Sequence, residues 1–330
     1  MKRLRTIALV MIVVMLYGHI PVEAWGNEGH TMISRVAAQK VPAAMPKFMR
    51  DASERLAYLG PEPDRWRSTT EPWLKYAQEP DHFIDFERIP PDFGELPQDR
   101  YYFMRRLFEK RAIALLSGVD KKKADELLPD KVGLQPYATM EVYGRLKVAF
   151  REYRRLQTEK KDTSGVEQNI VLYAGWLGHY VADGSQPLHT TVNYDGWVEA
   201  ANPNGYRTEK GIHWEFEGPY VGKNFTDKDF AGLVSGPVQL KDPFLDYQKY
   251  LKDSFALVPK VYELDKAGGF KEAGTLEARE FTRQRLAAGS QMLLNLWYTA
   301  WMESAIPLPE RERPAPSPAT NPPTTKPPTN

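Results

Sequence analysis

The sequence predicts an all-α fold, a single helical domain with long connecting loops. Three observations predict it. Apolar residues recur at helical spacing in several long segments, strand-type alternation is scarce, and so are tight hairpin signals. In chain order, helices are expected over Met32 to Val41 and over Tyr101 to Leu116. Val142, Leu146, Phe150 and Tyr153 mark another that runs to about Leu156. The next extends from about Val166 to Ala182, after a cap at Thr163 or Ser164, where a hydroxyl can accept from the unpaired N–H groups of the first turn. Phe281, Leu286, Leu293, Leu296, Trp297 and Trp301 mark a long amphipathic C-terminal helix. Proline-containing stretches join these elements, and no internal repeat or domain boundary divides them.

The two ends read differently from the body. Lys2, Arg3 and Arg5 precede the apolar run Ile7 to Tyr17, and Val22-Glu23-Ala24 places small residues before a cut ahead of Trp25. That pattern is a signal peptide over residues 1–24, which makes the protein secreted or periplasmic. The apolar run is too short for a membrane anchor, which needs roughly 20 residues. Residues 309–330 are rich in proline and threonine with nothing apolar to bury, the composition of a disordered tail. The chain has no cysteine, so disulfides and thiolate-bound zinc are excluded, leaving imidazole and carboxylate as metal ligands. The formal charge of +1 loses three cations and Glu23 with the signal, leaving about −1. No global basic field of the kind that binds duplex nucleic acid is present.

Beyond the signal there are five histidines, His30, His82, His179, His189 and His213. His179 and Asp183 stand four apart on an expected helix, so they share one face and can meet at one ion. His213 and Glu217 repeat that spacing. His189 follows a Gly184-Ser185-Gln186-Pro187 break that turns the chain back. Taken singly, a pair of this kind is equally a buried structural ion pair. Two such pairs, with every other histidine beyond the signal similarly placed, point to zinc held by nitrogen and oxygen.

At these residues the sequence resembles a known family. Trp25-Gly26-Asn27-Glu28-Gly29-His30, Pro63-Asp64-Arg65-Trp66-Arg67, His82-Phe83-Ile84-Asp85, His179 with Asp183, Gln186-Pro187-Leu188-His189, and His213 with Glu217 follow the order and spacing of the three-zinc single-strand-specific nucleases (nuclease S-one/P-one). Bacterial zinc-dependent phospholipase C is a relative of that family. The resemblance implies that residues 25–308 form a catalytic three-zinc domain. One zinc would take Asp64, His82, His179 and Asp183, and a second His189, His213 and Glu217. The third would take His30, the free α-amine and carbonyl of Trp25, and a bridging Asp183. It further implies catalytic roles for Asp64, Arg67 and Asp183, with hydroxide formed between two ions attacking phosphorus in line. Arg67 would clamp phosphate, Phe83 stack on a base and Asp85 accept hydrogen bonds from it.

Two departures bear on the substrate. Glu217 stands where the nucleases usually carry aspartate and the phospholipase branch carries glutamate, and residues 190–212 lack the nucleases' glycine-asparagine stretch. The expected partner is therefore single-stranded nucleic acid, with phospholipid as the alternative substrate and no obligate protein partner indicated. A non-catalytic helical protein stapled by zinc is the alternative of another class.

Overall fold

Along the chain run α1 (Gly26–Gln39), α2 (Ser53–Leu59), α3 (Glu62–Trp66), α4 (Arg100–Leu116), α5 (Gln135–Thr158), α6 (Ser164–Ser185), α7 (Pro243–Phe255), α8 (Val258–Lys266) and α9 (Leu276–Glu303), joined by shorter helical turns. This computed structural model describes residues 25–307, so the expected signal peptide and tail lie outside the described residues. Helix makes up 69% of the structure and the described residues form no strand, which is the all-α class. None of these helices is long and apolar enough to cross a membrane.

Helix α6 is the axis. It packs against α1, α2, α5, α7 and α9, and every residue from Leu177 to Ser185 is buried. A helix enclosed on all sides needs small residues where its neighbours approach. Ala174, Gly175, Gly178, Ala182 and Gly184 supply them. A Cβ on Gly175, for instance, would lie 2.3 Å from that of Leu59 in α2. Ile33 of α1, Leu177 of α6, and Leu293 and Trp297 of α9 are fully buried in the surrounding core, each contributing about 1.5–3 kcal/mol by leaving water.

The last carbonyls of a helix lack partners within it, and neighbouring segments supply them to α6. The Trp25 indole N–H donates to the Ala182 carbonyl at 2.8 Å, and the Ser254 hydroxyl to that of Gly184 at 2.6 Å. The backbone N–H of Gln186 donates to Asp183 at 3.0 Å. One turn earlier, Tyr250 donates to the Val181 carbonyl at 2.7 Å. The end of α6 is thereby fixed from two sides, with the negative pole of its dipole in the core.

Two local expectations need correction. Helix α1 begins at Gly26, not near Met32, because polar His30 and Ser34 occupy its buried face and mask the periodicity. Thr163 is the N-cap of α6, but its side chain makes no capping hydrogen bond. Asp162 instead accepts from the Ser164 backbone N–H at 3.0 Å, and the Thr163 hydroxyl donates to Glu167 at 2.7 Å.

Candidate metal centre

The histidines singled out above each sit on a separate element. His30 lies one turn into α1, Asp64 on α3, and His82 at the end of the 3-10 turn Glu79–His82. His179 and Asp183 lie one turn apart on the buried half of α6. The helix then stops, and His189 falls in the 3-10 turn Pro187–Thr190. His213 is on the one-turn helix Ile212–Glu215, and Glu217 on the π-helical turn Phe216–Tyr220 that continues it.

Folding brings all eight side chains together in three groups: His30, His179 and Asp183; Asp64, His82 and His179; His189, His213 and Glu217. Asp183 joins them. One of its oxygens is 3.4 Å from His30 Nε2 and 3.8 Å from His189 Nδ1. The other is 3.2 Å from His82 Nδ1 and 3.3 Å from His179 Nε2. Asp64 stands 3.7 Å from both His82 Nδ1 and His179 Nε2, and 3.9 Å from His30 Nε2. In the third group, His213 Nε2 is 2.8 Å from Glu217 Oε1, and His189 Nε2 is 3.3 Å from the same oxygen. Ligands on a tetrahedral ion with bonds near 2.0–2.1 Å stand roughly 3.3 Å apart, so these separations match a shared cation.

Protonation logic favours the same occupant. His179 Nδ1 donates to the Gly60 carbonyl at 2.8 Å and His189 Nδ1 to the His82 carbonyl at 2.8 Å. A carbonyl only accepts, so each ring carries its proton on Nδ1 and, when neutral, aims the Nε2 lone pair inward. Burial, with the other imidazoles and Arg67 nearby, holds His82 and His179 well below the ordinary histidine range. Burial also pushes the Asp183 carboxyl well above its usual range, reinforced by Asp64 and Glu217 against the opposing pull of His189. Burial opposes ionisation of Glu217 too, but His213 and His189 outweigh it and bring that carboxyl to about 2. Glu217 Oε2 is buried without a hydrogen-bond partner, while Oε1 faces His213 Nε2 at 2.8 Å. Lone pairs and carboxylates concentrated in a dry core are costly unless a cation compensates them. The three groups can therefore hold metal ions.

The remaining site residues fall around this cluster. Trp25 is fully buried, its ring edge-on to Phe216 at 5.4 Å, its indole bonded beside Asp183 and its carbonyl accepting from Gly29 N–H at 3.0 Å. Arg67 is partly exposed and donates to Asp64 at 3.1 Å. Phe83 is partly buried. Asp85, 3% exposed, is engaged by Arg88.

Several supporting residues carry no sequence signal. Gly60 presents its carbonyl to His179, and a Cβ there would stand 2.6 Å from the His30 carbonyl and 2.8 Å from Ser34 Oγ. Gly60→Ala is expected to cost about 1–3 kcal/mol through overpacking and to weaken metal retention by tilting His179. Thermal denaturation and metal analysis check both. Tyr194, 47% exposed, lies edge-on to the His213 ring at 5.9 Å, and Trp214 beside it is 44% exposed. The helical-spacing argument does not find these aromatics.

No family model, characterised protein or solved structure matches the chain.

Proposed function

We propose that the chain is an exported zinc-dependent phosphodiesterase, an endonuclease that hydrolyses single-stranded DNA or RNA to 5′-phosphate products. The carrying observation is the convergence of five imidazoles and three carboxylates from distant segments into three adjoining groups. These are the side chains that the resemblance to the three-zinc nucleases assigns as ligands. The donor set of nitrogen and oxygen without thiolate suits zinc. Asp64, His82, His179 and Asp183 would hold one ion, His189, His213 and Glu217 another, and His30, Asp183 and the Trp25 amine and carbonyl a third. Bound there, zinc supplies Lewis-acid stabilisation of phosphoryl oxygens and an acidified water.

The chain's own residues then orient the substrate. Arg67, anchored by Asp64, has a partly exposed side chain, and its planar guanidinium suits two phosphate oxygens. Phe83 offers a partly open ring, and base stacking of that kind contributes about 1–3 kcal/mol per base. Asp85 shares its carboxylate with Arg88, so base recognition there involves the pair. Arg67→Ala is expected to lower kcat/KM on single-stranded DNA about 10–100-fold, the value of a charge-assisted hydrogen bond, with metal content unchanged. Steady-state kinetics beside metal analysis check it.

A second reading, phospholipase C chemistry at the same centre, is favoured by one surface. Helix α4 exposes Tyr101 by 80%, Phe108 by 48%, Ile113 by 57% and Leu116 by 89% around the exposed Arg105–Glu109 ion pair, a mixed face that a lipid aggregate can contact. The deciding experiment measures metal content of the purified chain together with hydrolysis of single-stranded DNA and of phosphatidylcholine vesicles, with and without chelator. Chelator-sensitive cleavage of DNA alone supports the nuclease. Lipid cleavage alone transfers the site to the second reading, and bound zinc with no hydrolysis of either leaves a structural staple.

A further inference from the structure

Residues 190–212, where the sequence departs from the resembled nucleases, form a brace between the two histidines of the third group. Tyr262 fixes the near end, donating to the Asn193 carbonyl at 2.5 Å and accepting from Gly196 N–H at 3.1 Å. Trp197 N–H then donates to the Arg207 carbonyl at 2.8 Å, closing the loop on itself. At the far end, Asp195 Oδ1 accepts from the backbone N–H of Gly211 at 2.6 Å and of His213 at 3.4 Å. Arg207 grips the next residue pair, donating to both Glu215 oxygens at 2.9 Å and to the Lys210 carbonyl at 2.9 Å. Gly211 permits the joint, with φ of +122° and a Cβ position only 2.5 Å from Arg207 Nη2.

The brace answers a specific need. His179 and His189 are oriented through Nδ1 by carbonyl groups, whereas His213 Nδ1 is buried without a hydrogen-bond partner. Its ring direction is therefore inherited from its backbone. That backbone is the first turn, Ile212–Glu215, of a helical run that continues through Phe216–Tyr220 and Val221–Asn224, and the N–H groups at its start have no partner within the helix. Asp195 takes them.

We propose that Asp195 is the positioning residue of the third cation group, setting the turn that aims His213 and Glu217, with Arg207 as its support. The inference rests on the metal-centre reading. The third group shares no side chain with the other two, so the effect of losing Asp195 is confined to one ion.

The test uses the full folded chain loaded with zinc, followed by competition against a chromophoric chelator, with circular dichroism to verify folding. Asp195→Ala is expected to weaken one ion about 10–100-fold, the usual cost of losing an outer support, and to leave two unchanged. Asp195→Asn retains an oxygen acceptor and is expected to keep all three. Three ions of unaltered affinity in Asp195→Ala, or an equal weakening of all three, overturns the assignment. If Asp195→Ala does not fold, Arg207→Gln takes its place: selective weakening of one ion supports the brace, and an unaffected third ion overturns it. Failure of the metal-centre reading shows separately, as an unaltered chain that binds no zinc.

Discussion

On the proposed function, Asp183→Ala is expected to leave one tightly held ion of the three and to lower phosphodiester hydrolysis by at least about a thousandfold, the scale of losing a main electrostatic element of such a site. Its carboxylate is within 3.4 Å of His30, His82 and His179, so the first group loses its only carboxylate and the second is left with Asp64 alone. The third group keeps Glu217 between His189 and His213 and retains its ion. Metal analysis and turnover on single-stranded DNA read both effects. The metal-free chain discriminates further. Burial works against ionised Asp183 there, so the isosteric, neutral Asp183→Asn leaves the metal-free thermal midpoint unchanged or raises it, while lowering that of the loaded chain. A purely structural ion pair gives the reverse sign, because breaking one costs about 3–5 kcal/mol with no metal involved. A metal-free Asp183→Asn chain that melts well below its unaltered counterpart would sink the metal assignment.

Stripping the ions is the second large effect. Free zinc a thousandfold above its dissociation constant adds about 4 kcal/mol per ion. For a domain near this size each kcal/mol moves the midpoint by about 2–4 °C. Removal of three ions therefore lowers the midpoint by about 20 °C or more, and restored zinc recovers it. Calorimetry with chelator, then with zinc in excess, makes the measurement. A midpoint indifferent to both additions means that protons alone compensate the buried carboxylates.

Much of this architecture could be read from the chain. The long helices α4, α5, α6 and α9 follow from apolar spacing, and their observed limits bracket the expected ones. Helices α7 and α8 escaped notice. On α7 the buried face includes Gln248 and Ser254, which serve as hydrogen-bonding groups to Leu96 and to the Gly184 carbonyl and so break the apolar rhythm. At the centre, His179 with Asp183 and His213 with Glu217 were legible because one helical turn fixes their separation. The grouping was less so. His179 is shared between His30 and His82, its ring stacked on His30 at 4.1 Å, because both α1 and the Glu79–His82 turn press on the same turn of α6. The Gly60 carbonyl has no side chain to announce it. Asp195 looks like any loop aspartate until folding brings Gly211 to it.

The crowding of α6 has a consequence for how the proposed catalyst can diversify. Two of its cation ligands ride on a rod whose sides are filled by small residues and whose end is pinned by Trp25 and Ser254, leaving no slack for reshaping at the hub. Tyr194, Trp214 and the outward face of α4 carry no such obligation. Preference for one substrate over another can drift at that periphery while the inorganic machinery stays put.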